Sequence, residues 1–246
     1  MPPGISIIIP AYNEQENIQA GRLSEVAGWL KTCPAAAELI VVDDGSTDAT
    51  VTLAGSIAGR VISIPHSGKA AALLTGMMAA AHDHILFLDM DQATPITEAD
   101  KILKVLEKSA DIVVGSRGLL RRHAPLSRYV LSVGHVIFRR LLLSLSFLDT
   151  QCGFKACTRQ AAREITNHLI VYNPATITPV KGSRVNSGFD TEFLLVGFRR
   201  GCRIAEVPVQ WNYQRTRRTN LFGEAWYGLH DLFAIAWQNM RGNYTQ

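Results

Sequence analysis

His82-Asp83-His84-Ile85-Leu86-Phe87-Leu88-Asp89-Met90-Asp91-Gln92-Ala93-Thr94-Pro95 is an apolar run that ends in two carboxylates one residue apart. Unbroken apolar residues from Ile85 to Leu88 predict a strand buried on both faces, as in a parallel sheet. Ligands of such sheets bind beyond the carboxyl ends of the strands, which is where Asp89 and Asp91 fall. Alone, an Asp-x-Asp pair is more readily explained as turn chemistry, because aspartates hydrogen-bond the backbone two residues on. Its company decides the matter, since two anions this close call for a cation.

Upstream, Ile5 to Ile9 is a β-branched run closed by Pro10, the pattern of a buried first strand whose exit is Pro10-Ala11-Tyr12-Asn13-Glu14. A helix is expected to follow to about Lys31, with Ile18, Leu23, Val26 and Leu30 inward. Residues 38–42 read as a second strand that discharges into Asp43-Asp44-Gly45-Ser46-Thr47-Asp48, with Asp48 as a helix cap. Residues 60–64 read as a third strand, and Gly68-Lys69 opens an Ala-rich helix. A lysine at a helix N-terminus opposes the dipole, so it is either solvated or meets an anion bound there. A helix over 97–108 and a strand over 111–115, leaving through Ser116-Arg117, complete five strand–helix units. Neither GxGxxG nor GxxxxGK[ST] occurs, so the expected fold is α/β, a doubly wound, mostly parallel nucleotide-binding sheet of neither the dinucleotide nor the P-loop type.

Downstream the character changes. Val130, Val133, Ile137, Leu141, Leu145 and Leu148 recur at helical spacing, with Arg128, Ser132, His135 and Arg139 on another face that the pattern leaves to solvent. Such an amphipathic helix either packs on the sheet or rests on a membrane. Residues 149–155 read as irregular, 159–168 as a helix and 171–187 as a loop. Asp190 and Glu192 sit in the first turn of a further helix, where dipole compensation accounts for them. Residues 203–209 read as a strand near an edge because of Pro208. The last helix, 224–240, places Trp226, Leu229, Phe233, Trp237 and Met240 on one side, as core or as an interfacial face.

Length alone permits one large α/β domain or two small ones. The net charge of +4 is too slight to argue for nucleic acid, but it is unevenly spread. No acid occurs between Ile112 and Leu148, an interval holding Arg117, Arg121, Arg122, Arg128, Arg139 and Arg140. A second basic run comprises Arg199, Arg200, Arg203, Arg215, Arg217 and Arg218. Both predict an anionic partner. Cys33, Cys152, Cys157 and Cys202 form no CxxC pair and no zinc spacing, which suits reduced thiols and a cytoplasmic location. The first strand starts within a few residues of Met1, so no signal peptide is expected, and Arg139-Arg140 interrupts the longest apolar stretch, so no transmembrane helix is expected.

Together the strand exits bring acids, a lysine and an arginine to one sheet edge, a suitable set for a nucleoside diphosphate with Mg²⁺ or Mn²⁺ held by oxygen ligands. The segments "IIIPAYNE", "VVDDGSTD", "GKAAALLTG" and "DMD" resemble the family-2 glycosyltransferases of the GT-A fold. "GSR", "DTQCGFK", "GFDTEFLL" and "IAEVPVQW" look like that family's polyprenyl-phosphate branch, most of all the dolichyl-phosphate glucosyltransferases. The resemblance implies a single glycosyltransferase domain over 1–246, with a Rossmann-like nucleotide-sugar half at 1–117 and an acceptor half at 118–246. It implies nucleotide contacts at Pro10, Tyr12, Glu14 and Asp44, extended here to Ala11, Val42, Gly68, Lys69, Asp89 and Met90. Asp89 and Asp91 would hold metal, and Arg117 and Arg128 would grip phosphates. Ala93 stands where this branch has a further metal-holding Gln, with Gln92 one place early, so a third ligand stays open. The implied activity is inverting transfer of a hexose from UDP-glucose, or secondly GDP-mannose, to a polyprenyl or dolichyl phosphate. The implied setting is the cytoplasmic face of a membrane, reached peripherally or through a membrane partner. The alternatives are transfer to a soluble glycan or small-molecule hydroxyl, and a non-catalytic nucleotide-sugar-binding subunit.

Overall fold

The computed structural model describes residues 3–118, 134, 136, 139–140, 142–176, 188–212 and 221–244, with side chains of the last helix from 227 on. The strands are β1 (Ile5–Ala11), β2 (Ala37–Asp43), β3 (Arg60–Ser63), β4 (His84–Phe87), β5 (Ile112–Ser116), β6 (Lys155–Thr158) and β7 (Ile204–Pro208). They form one sheet in the order β3-β2-β1-β4-β6-β5-β7. Neighbours run parallel except at β6, which is antiparallel to both β4 and β5.

The period-two alternation of strand side chains explains the two cores. Ile8, Ile40, Val42, Ile85 and Phe87 face one side, packed against α4 (Lys69–Ala79), α6 (Arg159–His168), α7 (Phe189–Arg199) and α8 (Leu221–Met240). Ile7, Ile9, Val41 and Leu86 face the other, against α2 (Arg22–Thr32), α3 (Thr50–Gly55) and α5 (Ala99–Ser109). Both faces being covered, the strands read as continuous apolar runs. No described helix is long and apolar enough to cross a membrane.

Four expectations are corrected. The single helix over 15–31 is two, α1 (Gln15–Gln19) and α2, because Gly21 takes φ 85° between them. The irregular stretch at 149–155 leads into β6, whose short run around a lysine gives no strand signal. The helix over 128–148 stops by Leu143: Ser144 has φ 56° and the following residues are not helical. Arg139, assigned to a solvated face, is 1 % exposed; it donates to Thr150 Oγ1 at 2.6 Å and to the Phe147 carbonyl. Burial, only partly offset by Asp149 and Glu206, lowers its pKa to about 10. The proline-bearing strand β7 does lie at the sheet edge.

Candidate active site

Beyond β4, Leu88 N still bonds Ile8 O at 3.3 Å before the chain turns through Asp89-Met90-Asp91-Gln92. Gln92 makes that turn: its φ is 52°, its N–H reaches Asp89 O at 3.2 Å, and its Oε1 accepts from Ile96 N at 3.0 Å. So engaged and buried, Gln92 is a structural residue. Asp91 Oδ1 accepts from Ala93 N at 3.0 Å, the local aspartate bond that turn chemistry predicts.

Asp89 is ion-paired to Lys69, the first residue of α4, with 42 % and 31 % of their side chains exposed. Burial opposes charge on both. For Asp89 it is outweighed by Lys69, Lys155 and Arg117, which hold the carboxyl below its ordinary value. For Lys69 it is outweighed by Asp89, Asp190 and Asp91, which raise the ammonium. Asp91 moves the other way, pushed up by burial and the charge of Asp89.

Arg117, just past β5, is clamped by Asp149: Nε to Oδ2 and Nη2 to Oδ1 are both 2.7 Å, and the Arg117 N–H adds a 3.1 Å bond. Burial works against this cation, but the Asp149 fork raises its pKa. Glu206 on β7 fixes the fork by accepting from Asp149 N at 2.8 Å and Leu148 N at 3.0 Å. Trp211 lies 5.8 Å from the guanidinium and is held in place by Asn212 N on Ala93 O at 2.7 Å. Asp89, Thr94, Arg117, Gln151, Gly153 and Trp211 line one open pocket. A Cβ at Gly153 would stand 2.1 Å from Asp89 Oδ2, so a larger residue there would displace the Asp89 carboxylate.

Lys155 enters from β6 with a side chain wholly buried, donating to Cys152 O at 2.5 Å and Asp190 Oδ1 at 2.6 Å. Asp190 is thus more than dipole compensation. Glu192 likewise accepts from Ile170, Val171 and Tyr172 N–H at 2.8–2.9 Å and from Tyr244 OH at 2.6 Å.

The exits of β1 and β2 are stitched together: Asn13 N donates to Ser46 Oγ at 2.8 Å, and Asn13 Oδ1 accepts from Thr47 N at 2.8 Å. Glu14 Oε2 accepts from Asn17 Nδ2 at 2.5 Å. Asp48, expected as the helix cap, stands one residue before it: α3 begins at Thr50 with Ala49 at the cap position, and Asp48 Oδ1 accepts from Thr50 N at 3.0 Å. Tyr12 and Asp44 stand here with His66, and Gly68 donates to Asp44 Oδ2 at 2.9 Å. Pro10 is partly buried, whereas Ala11, Val42 and Met90 are buried in the cores, leaving them backbone groups to offer a ligand. Arg128 and the arginines at 121, 122, 215, 217 and 218 lie outside the described residues.

Lys69, Asp89, Asp91 and Arg117 therefore come together as the sequence predicts, while His66, Asp149, Lys155, Asp190 and Trp211 join unannounced. Asp149 and Lys155 lie in "DTQCGFK", singled out without roles for these side chains, and Asp190 in "GFDTEFLL", where the sequence assigns it dipole compensation alone. Among the described residues no cluster of three or more His, Cys, Asp or Glu could hold a metal. Two carboxylates on one turn still fit Mg²⁺ or Mn²⁺, which commonly takes one or two protein carboxylates and completes its shell with phosphates and water.

A mixed sheet covered on both faces, with paired aspartates, a lysine and a clamped arginine at its edge, is a GT-A fold. Glucosyl-3-phosphoglycerate synthase from Mycobacterium tuberculosis, solved with Mn²⁺, UDP and phosphoglyceric acid, superposes with TM-score 0.70 at 20 % identity, over 95 % of this chain and 78 % of that one. The chain belongs to glycosyl transferase family 2, whose model matches residues 6–165. It is 33 % identical over 230 residues to a dolichyl-phosphate beta-glucosyltransferase of Drosophila melanogaster, covering 84 % of this chain and 66 % of that protein. Against the Homo sapiens protein of the same name it is 31 % identical over 230 residues, covering 84 % and 67 %. The chain spans about two thirds of the length of these relatives.

Proposed function

We propose that this protein transfers a hexose, glucose from UDP-glucose in the first instance, to a polyprenyl or dolichyl phosphate with inversion. The observation that carries this reading is the meeting of Asp89 and Arg117 at one pocket, with Lys69 ion-paired to Asp89 and Asp91 on the same turn. Similarity to dolichyl-phosphate beta-glucosyltransferases supports the lipid acceptor. A phosphate monoester is an anion at neutral pH and needs a cation to place it rather than a base to deprotonate it. Arg117, oriented by Asp149, binds that phosphate. A phosphate oxygen attacks the anomeric carbon as the carbon–oxygen bond to the nucleoside diphosphate breaks. Lys69 leaves Asp89 for the departing diphosphate. Asp89 and Asp91 would hold a divalent cation, whose charge would help neutralise the leaving diphosphate.

The described end of α8 supports a peripheral approach to the lipid. Phe233, Trp237 and Met240 are 56 %, 55 % and 69 % exposed, whereas Leu232, Ile235 and Ala236 pack inward. Arg241 lies 5.3 Å from the Trp237 ring, the pairing of aromatic and cation suited to an anionic lipid surface. The test supplies purified protein with labelled UDP-glucose or GDP-mannose and either polyprenyl phosphate or soluble sugars. Label in an organic-extractable, acid-labile product is expected with UDP-glucose and the lipid. Label entering only soluble sugars would overturn the lipid acceptor, and an unchanged rate in Asp91→Asn would overturn the metal site.

A further inference from the structure

The chain supplies its own cation to the paired carboxylates. Lys69 Nζ is ion-paired to Asp89 Oδ1 from the first position of α4, where the helix dipole disfavours a positive charge and a nearby anion relieves it. Lys155, from β6, and Arg117, just past β5, add their charge to the surroundings of Asp89. Asp91 is held only locally, its Oδ1 accepting from Ala93 N at 3.0 Å. A divalent cation reaching this turn therefore meets two carboxylates, one of them already neutralised. Among the described residues no third acid, histidine or cysteine joins them in a metal-binding group. Both side chains of the Lys69–Asp89 pair are partly exposed, so the pair can open without unpacking the core.

We propose that Lys69 is a placeholder for the metal: its ammonium occupies Asp89 until a diphosphate draws it away, so that metal and nucleotide bind as a unit and the metal alone binds poorly. This rests on the nucleotide-sugar reading above. A bare divalent cation must either break the Lys69–Asp89 pair or sit beside the ammonium, and both oppose it. A diphosphate removes both penalties, because its oxygens accept from the ammonium and also complete the shell of the ion. Lys69 thus acts on the metal through Asp89, as a positioning residue. Coupling between two ligands is reciprocal, so whatever affinity Lys69 takes from the metal alone reappears as dependence of nucleotide affinity on metal.

The test measures Mn²⁺ binding to the wild type, Lys69→Met and Lys69→Gln by electron paramagnetic resonance, and calorimetric binding of UDP and GDP with and without Mn²⁺. The wild type is expected to bind Mn²⁺ alone weakly and the preferred nucleotide much more tightly with Mn²⁺ than without it. Both variants should bind Mn²⁺ alone about tenfold or more tightly than the wild type, and the factor by which Mn²⁺ improves nucleotide binding should fall about tenfold or more. A lysine that merely repelled the ion would weaken metal binding equally with and without nucleotide, leaving that factor unchanged. If the variants gain no affinity for Mn²⁺ alone, or the factor stays at its wild-type value, the placeholder role is overturned and the donor site stands. A wild type that binds neither UDP nor GDP, with or without Mn²⁺, overturns the donor site and the placeholder with it.

Discussion

The two ends of the candidate site solve the burial of polar groups differently. At the exits of β1, β2 and β3, Asp44, Asn13 and Asp48 are satisfied mainly by backbone N–H groups from nearby turns, with His66 added. At the exits of β4 and β5 and the start of β6, Asp89, Arg117 and Lys155 are satisfied largely by opposite charges brought from elsewhere in the chain. Backbone amides cannot leave, so the first end is a fixed mould, suited to a flat and largely neutral group. Ion pairs can exchange partners, so the second end is suited to anions that arrive and depart as charge shifts.

Lys155→Met should give the largest effect, because it strands Asp190 opposite a wholly buried position. Breaking a buried pair from one side costs about 3–5 kcal/mol, to be read as a fall in the denaturation midpoint. A loss under 1 kcal/mol would mean that the charged end is no tighter than a surface. Gly153→Ala forces a Cβ against Asp89 and should cut transfer about 100-fold, or about 2.7 kcal/mol in the barrier, in steady-state kinetics. Asp149→Asn keeps the shape of the fork but halves its hold on Arg117, with an expected loss of about 10- to 50-fold. In an Arg117→Ala background the same change should cost almost nothing, since the two act as one unit; full additivity would separate them.

The smallest effect lies away from the site. Tyr244→Phe removes one hydrogen bond to Glu192 and should cost about 1 kcal/mol at neutral pH. Burial and Glu192 raise the Tyr244 pKa above that of an unfolded tyrosine. The unfolded chain therefore releases this proton first, and the contribution of the phenol is complete below about pH 10 and shrinks as pH rises beyond it. Melting curves from pH 8 to 11 should show the wild type losing stability more steeply than the variant.

The same division explains what the sequence discloses. Asp89-Met90-Asp91, Gly68-Lys69 and the acids after β2 are legible because each follows its own apolar strand, and the rule placing ligands at strand ends then gathers them. Asp149, Lys155, Asp190 and Trp211 are not, because each makes sense only through a partner tens of residues away. Lys155 looks like a surface lysine until it is seen in β6; Glu192 looks like a helix-start acid until its three N–H donors are seen. His66 is the exception on the legible side. Its meaning comes from stacking on Tyr12, which no periodicity encodes.

The place of β6 also dictates an order of assembly. Between β4 and β5 the sheet has a gap that only Lys155–Thr158 fills, running antiparallel to both. A chain emerging from the ribosome with residues 1–117 complete holds two strands whose facing edges are still bare. Such edges invite pairing with another chain until the closing strand arrives. The seam at residue 117 divides the roles proposed for the two halves, but not units that fold one after the other. A fragment cut there is expected to aggregate, and to be rescued by supplying the missing residues in trans.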